Sequence, residues 1–182
     1  INLLEARINV LEKSMMNSLS TSIYSDGTGT SGKEVGGLQL IVADAGTGTV
    51  GGINSSTFTF WQNAQTTATS SAFSVANVQT DMNTIYLSLV RGADSPDLVM
   101  AGTNAYTAFL GSLQAIQRIT SDDLANSGFT SLQYLNSDVV FDSACNTNRM
   151  YFLNTDYLRL EVAAARDFVP GEAKMSVNQD AM

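Results

Sequence analysis

Leu4, Ile8, Leu11, Met15, Leu19 and Ile23 return every three or four positions, while Glu5, Arg7, Glu12 and Lys13 fall elsewhere on the helical wheel. This period predicts a long amphipathic helix. Ser25-Asp26-Gly27 supplies a stop signal, and a Gly/Ser/Thr stretch runs on from Gly27 to Gly37. Leu38 to Ala43 is a short apolar run that fits a buried strand or half a buried helix; we read it as a strand. A second Gly-rich segment, Gly46 to Gly52, leads to Thr57-Phe58-Thr59-Phe60-Trp61, whose strict alternation predicts a half-buried strand. Gln62 to Ser71 reads as a polar loop.

The helical period resumes with Val75, Val78, Met82, Ile85 and Leu89. Ser74 is the expected cap, and Gly92 and Pro96 are the stop, which predicts a helix of about five turns. Asp97 to Ala101 then reads as a strand and Thr103 as a helix cap. Tyr106, Phe109, Leu110, Leu113 and Ile116 form the expected buried stripe of a third helix. After Gly128 the texture changes to short apolar runs between Asn-rich turns: Leu132 to Leu135, Asp138 to Asp142, Met150 to Leu153 and Tyr157 to Val162. These predict a meander or hairpins. Pro170 to Met182 carries no clear pattern, and the chain shows neither an internal repeat nor a heptad run long enough for a coiled coil.

Composition narrows what such a domain does. The 182 residues are 44% hydrophobic and 14% charged, the balance of a folding chain whose surface is filled by Ser, Thr, Asn and Gln. A net charge of -8 and a pI near 4.2 oppose the gripping of a phosphate backbone, which requires Lys and Arg. There is no histidine, which removes the commonest nucleophile-activating and metal-binding routes. The one cysteine, Cys145, excludes an internal disulfide and reads as a small buried residue. The apolar runs are too short to span a bilayer and no basic-then-apolar leader opens the chain, so a soluble product is expected. Ile1 lies inside a helical pattern without an initiator Met, which reads as a fragment of a longer protein.

Two glycine motifs invite a nucleotide reading. Gly27-Thr-Gly-Thr-Ser-Gly32-Lys33 fits seven places of the phosphate-cradling P-loop, but Glu34 stands where Ser or Thr should hold magnesium, and a helix precedes it instead of a strand. Gly46-Thr-Gly48-Thr-Val-Gly51 has dinucleotide-fingerprint spacing, yet β-patterned sequence follows it and no acidic residue stands about twenty positions on. Asp122-Asp123 after Ser121 reads as the charged first turn of a short helix, and Asp94 and Asp97 flank Pro96 in a turn. Nothing places two carboxylates together for acid/base or metal chemistry. Asn54-Ser55-Ser56 is a glycosylation sequon without an export signal. Trp61 beside Phe60 reads as a core or interface anchor. No catalytic, cofactor-binding or metal-binding residue is expected, and the chain is not expected to be an enzyme.

The run Gly-Thr-Gly-Thr-Val-Gly-Gly-Ile-Asn-Ser-Ser-Thr-Phe-Thr-Phe-Trp-Gln-Asn, from Gly46 to Asn63, resembles a stretch typical of tailed-bacteriophage major capsid proteins. In that family the Thr-Val-Gly-Gly-Ile run and the Trp with its following polar pair link two parts of the shell subunit. The order of elements is similar too. A long helix ending in Ser-Asp-Gly looks like the spine helix of the Hong Kong 97-type capsid fold, and the elements from Val75 to Leu153 look like its axial domain. The similarity spans roughly Leu4 to Phe168.

The resemblance implies an α+β fold, with a long spine helix and an axial domain of helices around a small mixed or antiparallel sheet. It divides the chain into a peripheral-domain part at 1–60, an axial domain at 61–168 and a return towards the peripheral domain at 169–182. The implied function is that of a structural subunit of an icosahedral phage or prophage head, forming pentamers and hexamers that enclose DNA. Its implied partners are itself and scaffolding, portal and decoration proteins, without membrane, without cofactor and without sequence-specific DNA binding. Its implied place is the virion, after assembly in the bacterial host cytoplasm.

The family's lacing arm and loop would lie before Ile1 and a closing strand after Met182; the Lys-Asn crosslink of some relatives has no counterpart here, and no functional residue carries over. Gly27 to Gly37 and Gly46 to Gly52 are the candidate adaptable segments, and the helix from Leu4 the candidate rigid spine. The rivals are another virion assembly module (tail, decoration or adhesin) and a nucleotide-binding enzyme using Gly27–Lys33 or Gly46–Gly51.

Overall fold

A computed structural model describes residues 3–113, 131–160 and 162. The first helix, α1 (Leu3–Ile23), has the extent that its apolar period predicts, but nearly all of its side chains face water. Among the described residues only its end is anchored. Tyr24 is buried, and its hydroxyl donates a 2.7 Å hydrogen bond to Asp142 Oδ2 on the far side of the sequence. The Gly/Ser/Thr stretch after it contains one turn, α2 (Gly29–Gly32), in which Thr30 and Ser31 are left-handed.

Leu38 to Ala43 is not a strand. It forms the short helix α3 (Leu38–Ile41), closed by Val42 N–H donating to the Leu38 carbonyl at 2.7 Å. Only Leu38 is buried, against Tyr24, Cys145, Tyr151 and Leu153. One covered position per turn suits a helical turn, whereas a buried strand needs cover at alternate residues.

The β-structure of the next segment also lies elsewhere than predicted. β1 (Thr49–Val50) and β2 (Ile53–Asn54) make a hairpin, with Gly51 and Gly52 both at positive φ, the backbone that a two-residue hairpin turn demands. The chain then folds back on itself: Thr57 and Phe58 N–H both donate to the Asn54 carbonyl, at 3.1 and 3.0 Å, and Thr59–Trp61 is a single tight helical turn. The alternation of Thr57 to Trp61 therefore has no partner strand among the described residues.

The helix expected from Val75 begins three residues later as α4 (Val78–Leu89), about three turns long. The Ser74 side chain does not cap it. Instead its carbonyl accepts from Asn77 and Val78 N–H, and its hydroxyl is buried without a hydrogen-bond partner among the described residues. β3 (Leu98–Ala101) matches its prediction to within a residue, and α5 (Thr103–Ser112) follows at once. Gly102, not Thr103, is the residue before the first helical turn. Of the predicted stripe on α5, Phe109 is buried and Tyr106, Leu110 and Leu113 are partly so, while Ala105 and Ala108 complete the inner face. Ile116, Ser121, Asp122 and Asp123 lie outside the described residues, as does everything from 163 onward.

The last three strands fall where the pattern puts them: β4 (Ser131–Tyr134), β5 (Ser137–Phe141) and β6 (Met150–Leu153). Tyr157 to Leu160, the described part of the run expected to Val162, makes no strand. Thr155–Tyr157 is one helical turn, capped by the Asn154 side chain accepting from Asp156 N–H, and Leu158 to Leu160 are irregular.

The sheet order is β4-β5-β3-β6, with β3 parallel to β5 and every other pairing antiparallel. It is mixed, and the fold is α+β. Alternation along the strands sends side chains to two different clusters. One face (Val99, Ala101, Val139, Leu132) packs on Val78 and Met82 of α4 and on Ala105, Ala108 and Phe109 of α5. The other face (Tyr151, Leu153, with Met100) packs on Tyr24, Leu38 and Cys145. The smaller cluster thus ties the root of α1 to the sheet.

Ser137 is buried where β5 begins, and its hydroxyl donates 2.7 Å to the Pro96 carbonyl. Ser137→Ala leaves that carbonyl without this donor and is expected to lower folding stability by about 1 kcal/mol in a denaturant titration.

Candidate functional site

The two glycine motifs are occupied by the chain's own groups. In the Gly27–Lys33 loop the Glu34 carboxylate accepts from Ser25 Oγ at 3.2 Å and Thr30 Oγ1 at 3.1 Å. It sits so close over Gly29 that a Cβ there would come within 2.3 Å of it. A phosphate in this loop would meet an anion already in place, and α1, not a strand, leads into it. In the second motif Gly48 N–H donates to Ser55 Oγ at 2.8 Å, and the Gly48 carbonyl accepts from both Ser55 N–H and Ser55 Oγ. The backbone donor that a dinucleotide would use is spent inside a hairpin, and no helix starts there.

The aspartates near Pro96 serve as staples. Asp97 accepts from Thr155 N–H at 2.8 Å and from the Thr155 hydroxyl, and Asp94 accepts from Tyr157 Oη at 3.0 Å, which also raises the Tyr157 pKa. Among the described residues no three His, Cys, Asp or Glu side chains stand close enough to hold a metal ion. In the sequon the middle residue Ser55 is buried, while Asn54 and Ser56 are exposed and Asn54 Oδ1 accepts from Ser56 N–H.

Cys145 is buried, as its type predicts, and burial followed by the nearby Asp142 carboxylate pushes its pKa up to about 11 from 9.0. Because the folded value is the higher, the thiol's stabilising contribution is whole below pH 9 and is lost as pH rises through about 11. Replacing Cys145 with Ser is expected to flatten the fall in thermal midpoint between pH 9 and 11; an unchanged slope would refute this.

What remains prominent is apolar surface in water. Along α1, Ile8 (47%), Leu11 (59%), Met15 (41%), Leu19 (37%) and Ile23 (45%) are all exposed. A lone helix of this length and Ser/Asn content is marginal in water, and an exposed apolar stripe is surface of the kind that marks contact sites. The second patch is the knuckle after the β1–β2 hairpin, where Phe58, Phe60 and Trp61 stand 49%, 77% and 47% exposed. Trp61 is therefore not a core residue.

Beside the knuckle lies a cleft of about 620 Å³, lined among others by Phe60, Phe73, Met82, Ile85 and Phe152. At its polar end the Arg149 guanidinium bridges to Asp44. Tyr151 also lines it, with its pKa raised chiefly by burial. The Gly46–Asn63 run foreshadows this knuckle; Gly51-Gly52 between Val50 and Ile53 was the hairpin signal that the glycine-motif reading passed over.

No protein family, curated protein or solved structure matches this chain. Among the described residues no helix is long and apolar enough to cross a membrane.

Proposed function

We propose that the chain is a structural subunit of an icosahedral phage or prophage head, assembling with copies of itself into pentamers and hexamers that enclose DNA. The observation that carries this is α1: a 21-residue helix that, among the described residues, is rooted in an α+β body by its last turn alone, with its apolar stripe exposed. A free-standing monomer gains nothing from such a helix, whereas a lattice subunit uses it as a strut. Helices packed on a small mixed sheet also favour a shell subunit over an all-strand tail, decoration or adhesin module. The loop filled by Glu34 and the hairpin closed by Ser55 weigh against the nucleotide-binding alternative. An acidic chain would enclose DNA without adhering to it. Scaffolding, portal and decoration proteins are the further partners proposed.

Negative-stain microscopy of the full-length protein, expressed with its scaffolding partner, tests the proposal. Closed shells or five- and sixfold rings are the expected result. A persistent monomer with the scaffold present would overturn it.

A further inference from the structure

We infer that the aromatic knuckle Phe58–Trp61, with the cleft beside it, is a surface on which a second copy of this chain seats. This deepens the shell-subunit reading and rests on it.

Three features converge at the knuckle. The first is composition. Between Asp44 and Asp81 no residue carries a charge, in a chain with 9 basic and 17 acidic residues. Loss of charged residues together with exposed Phe and Trp is the composition of a desolvated interface core, and differs from that of a solvated loop.

The second is rigidity. Asn63 clamps the base of the knuckle, accepting from Ala43 N–H at 3.2 Å and donating to the Ala43 carbonyl at 3.0 Å. Gln62 Nε2 donates to the Ser55 carbonyl at 3.0 Å, and the Phe58 and Phe60 rings meet edge to face at 5.9 Å. Large aromatic side chains on a backbone already fixed in place lose little entropy on docking. The third is shape. Phe60 forms one wall of the cleft, so a raised aromatic ridge adjoins an apolar depression lined by Phe73, Met82 and Ile85, as a contact between proteins requires.

Charge selects the occupant. Two copies of a chain with net charge -8 repel wherever their carboxylates face each other. The knuckle carries no charge, so two copies approach there without that cost, and the cleft beside it sets Arg91 and Arg149 against Asp44 and Asp81.

Trp61 is the only tryptophan in the chain, so its emission reports on the knuckle directly. Sedimentation and Trp emission of the full chain, at rising concentration and at low and high salt, form the first arm. A concentration-dependent blue shift that tracks association, strengthened by salt as like charges are screened, is expected. Association weakened by salt points to an oppositely charged partner and overturns the choice of occupant. Association without an emission change overturns the surface.

The second arm is Phe58→Ser with Phe60→Ser, both at exposed sites. Association at least tenfold weaker, or loss of shells when assembled with the scaffold, is expected. Wild-type association or normal shells in this variant overturns the inference while leaving the head-subunit proposal standing. A wild-type chain that neither associates nor forms shells with its scaffold overturns both.

Discussion

Phe109→Ala is expected to lower folding stability by about 4 kcal/mol, and the thermal midpoint by about 10 °C. Phe109 is 1% exposed and sits where α5, α4 and the sheet meet, in a cluster with Val78, Met82, Val99 and Val139. Its ring meets Tyr134 of β4 edge to face at 5.9 Å. Removing the ring forfeits its transfer from water and leaves a hole that three different elements cannot close together. Denaturant titration gives the number, and a cost below about 1.5 kcal/mol would mean that the core collapses into the space. Because no other element among the described residues fills this face, the variant should lose the cooperative unfolding of the sheet and both helices at once.

The second large effect is expected at Gly102, for reasons of space. Its φ is -73° and its ψ 171°, a conformation open to any residue, so no glycine is demanded by the dihedral angles. What demands it is the chain from 146 to 149 crossing directly above. A Cβ on residue 102 would lie 2.0 Å from the Asn146 carbonyl oxygen and 2.9 Å from Thr147 Cα, both backbone atoms. Gly102 N–H donates to the Arg149 carbonyl and Asn104 N–H to the Thr147 carbonyl, each at 3.0 Å, so the crossing chain cannot simply lift away.

Gly102→Ala is therefore expected to cost about 3 kcal/mol. Gly92→Ala, at positive φ but with open space around it, should cost about 1 kcal/mol. Equal losses in the two variants would show that packing over Gly102 is looser than the geometry requires. The same junction carries Arg149 to its bridge with Asp44 at the cleft, so the alanine variant should also disturb the cleft's polar end.

How far the chain's pattern reaches can be seen by comparing two stretches. Met150 to Leu153 and the run within Asp138 to Asp142 were legible as strands because their side chains alternate between the two faces of one sheet, Val139, Met150 and Phe152 on one and Tyr151 and Leu153 on the other. Thr57 to Trp61 has an equally clean alternation and is not a strand, because Asn54 turns the chain back and no strand among the described residues offers it hydrogen bonds. Alternation states which residues would share a face; it does not supply the partner. Leu38 to Ala43 failed for the complementary reason: a six-residue apolar run does not reveal how many of its residues are covered.

The candidate site was legible only in part. Gly46 to Asn63 stood out through its residue types, and it does form the exposed knuckle, but the sequence alone could not tell an exposed Trp61 from a buried one. Glu34 was foreseen as hostile to phosphate; that its carboxylate occupies the loop beside Gly29 emerged only once the chain was folded.

By itself, then, the sequence determined the length of α1, the strands β3 to β6 and the absence of histidine. Those are local or compositional properties, set by side-chain period and by which residue types exist at all. Tertiary structure decided that the stripe of α1 lies uncovered, that the aromatics after the hairpin face water, and that Tyr24 pins α1 to the sheet through Asp142. Period shows that a face is apolar; whether that face is buried depends on what lies opposite it, and that is a property of the whole fold.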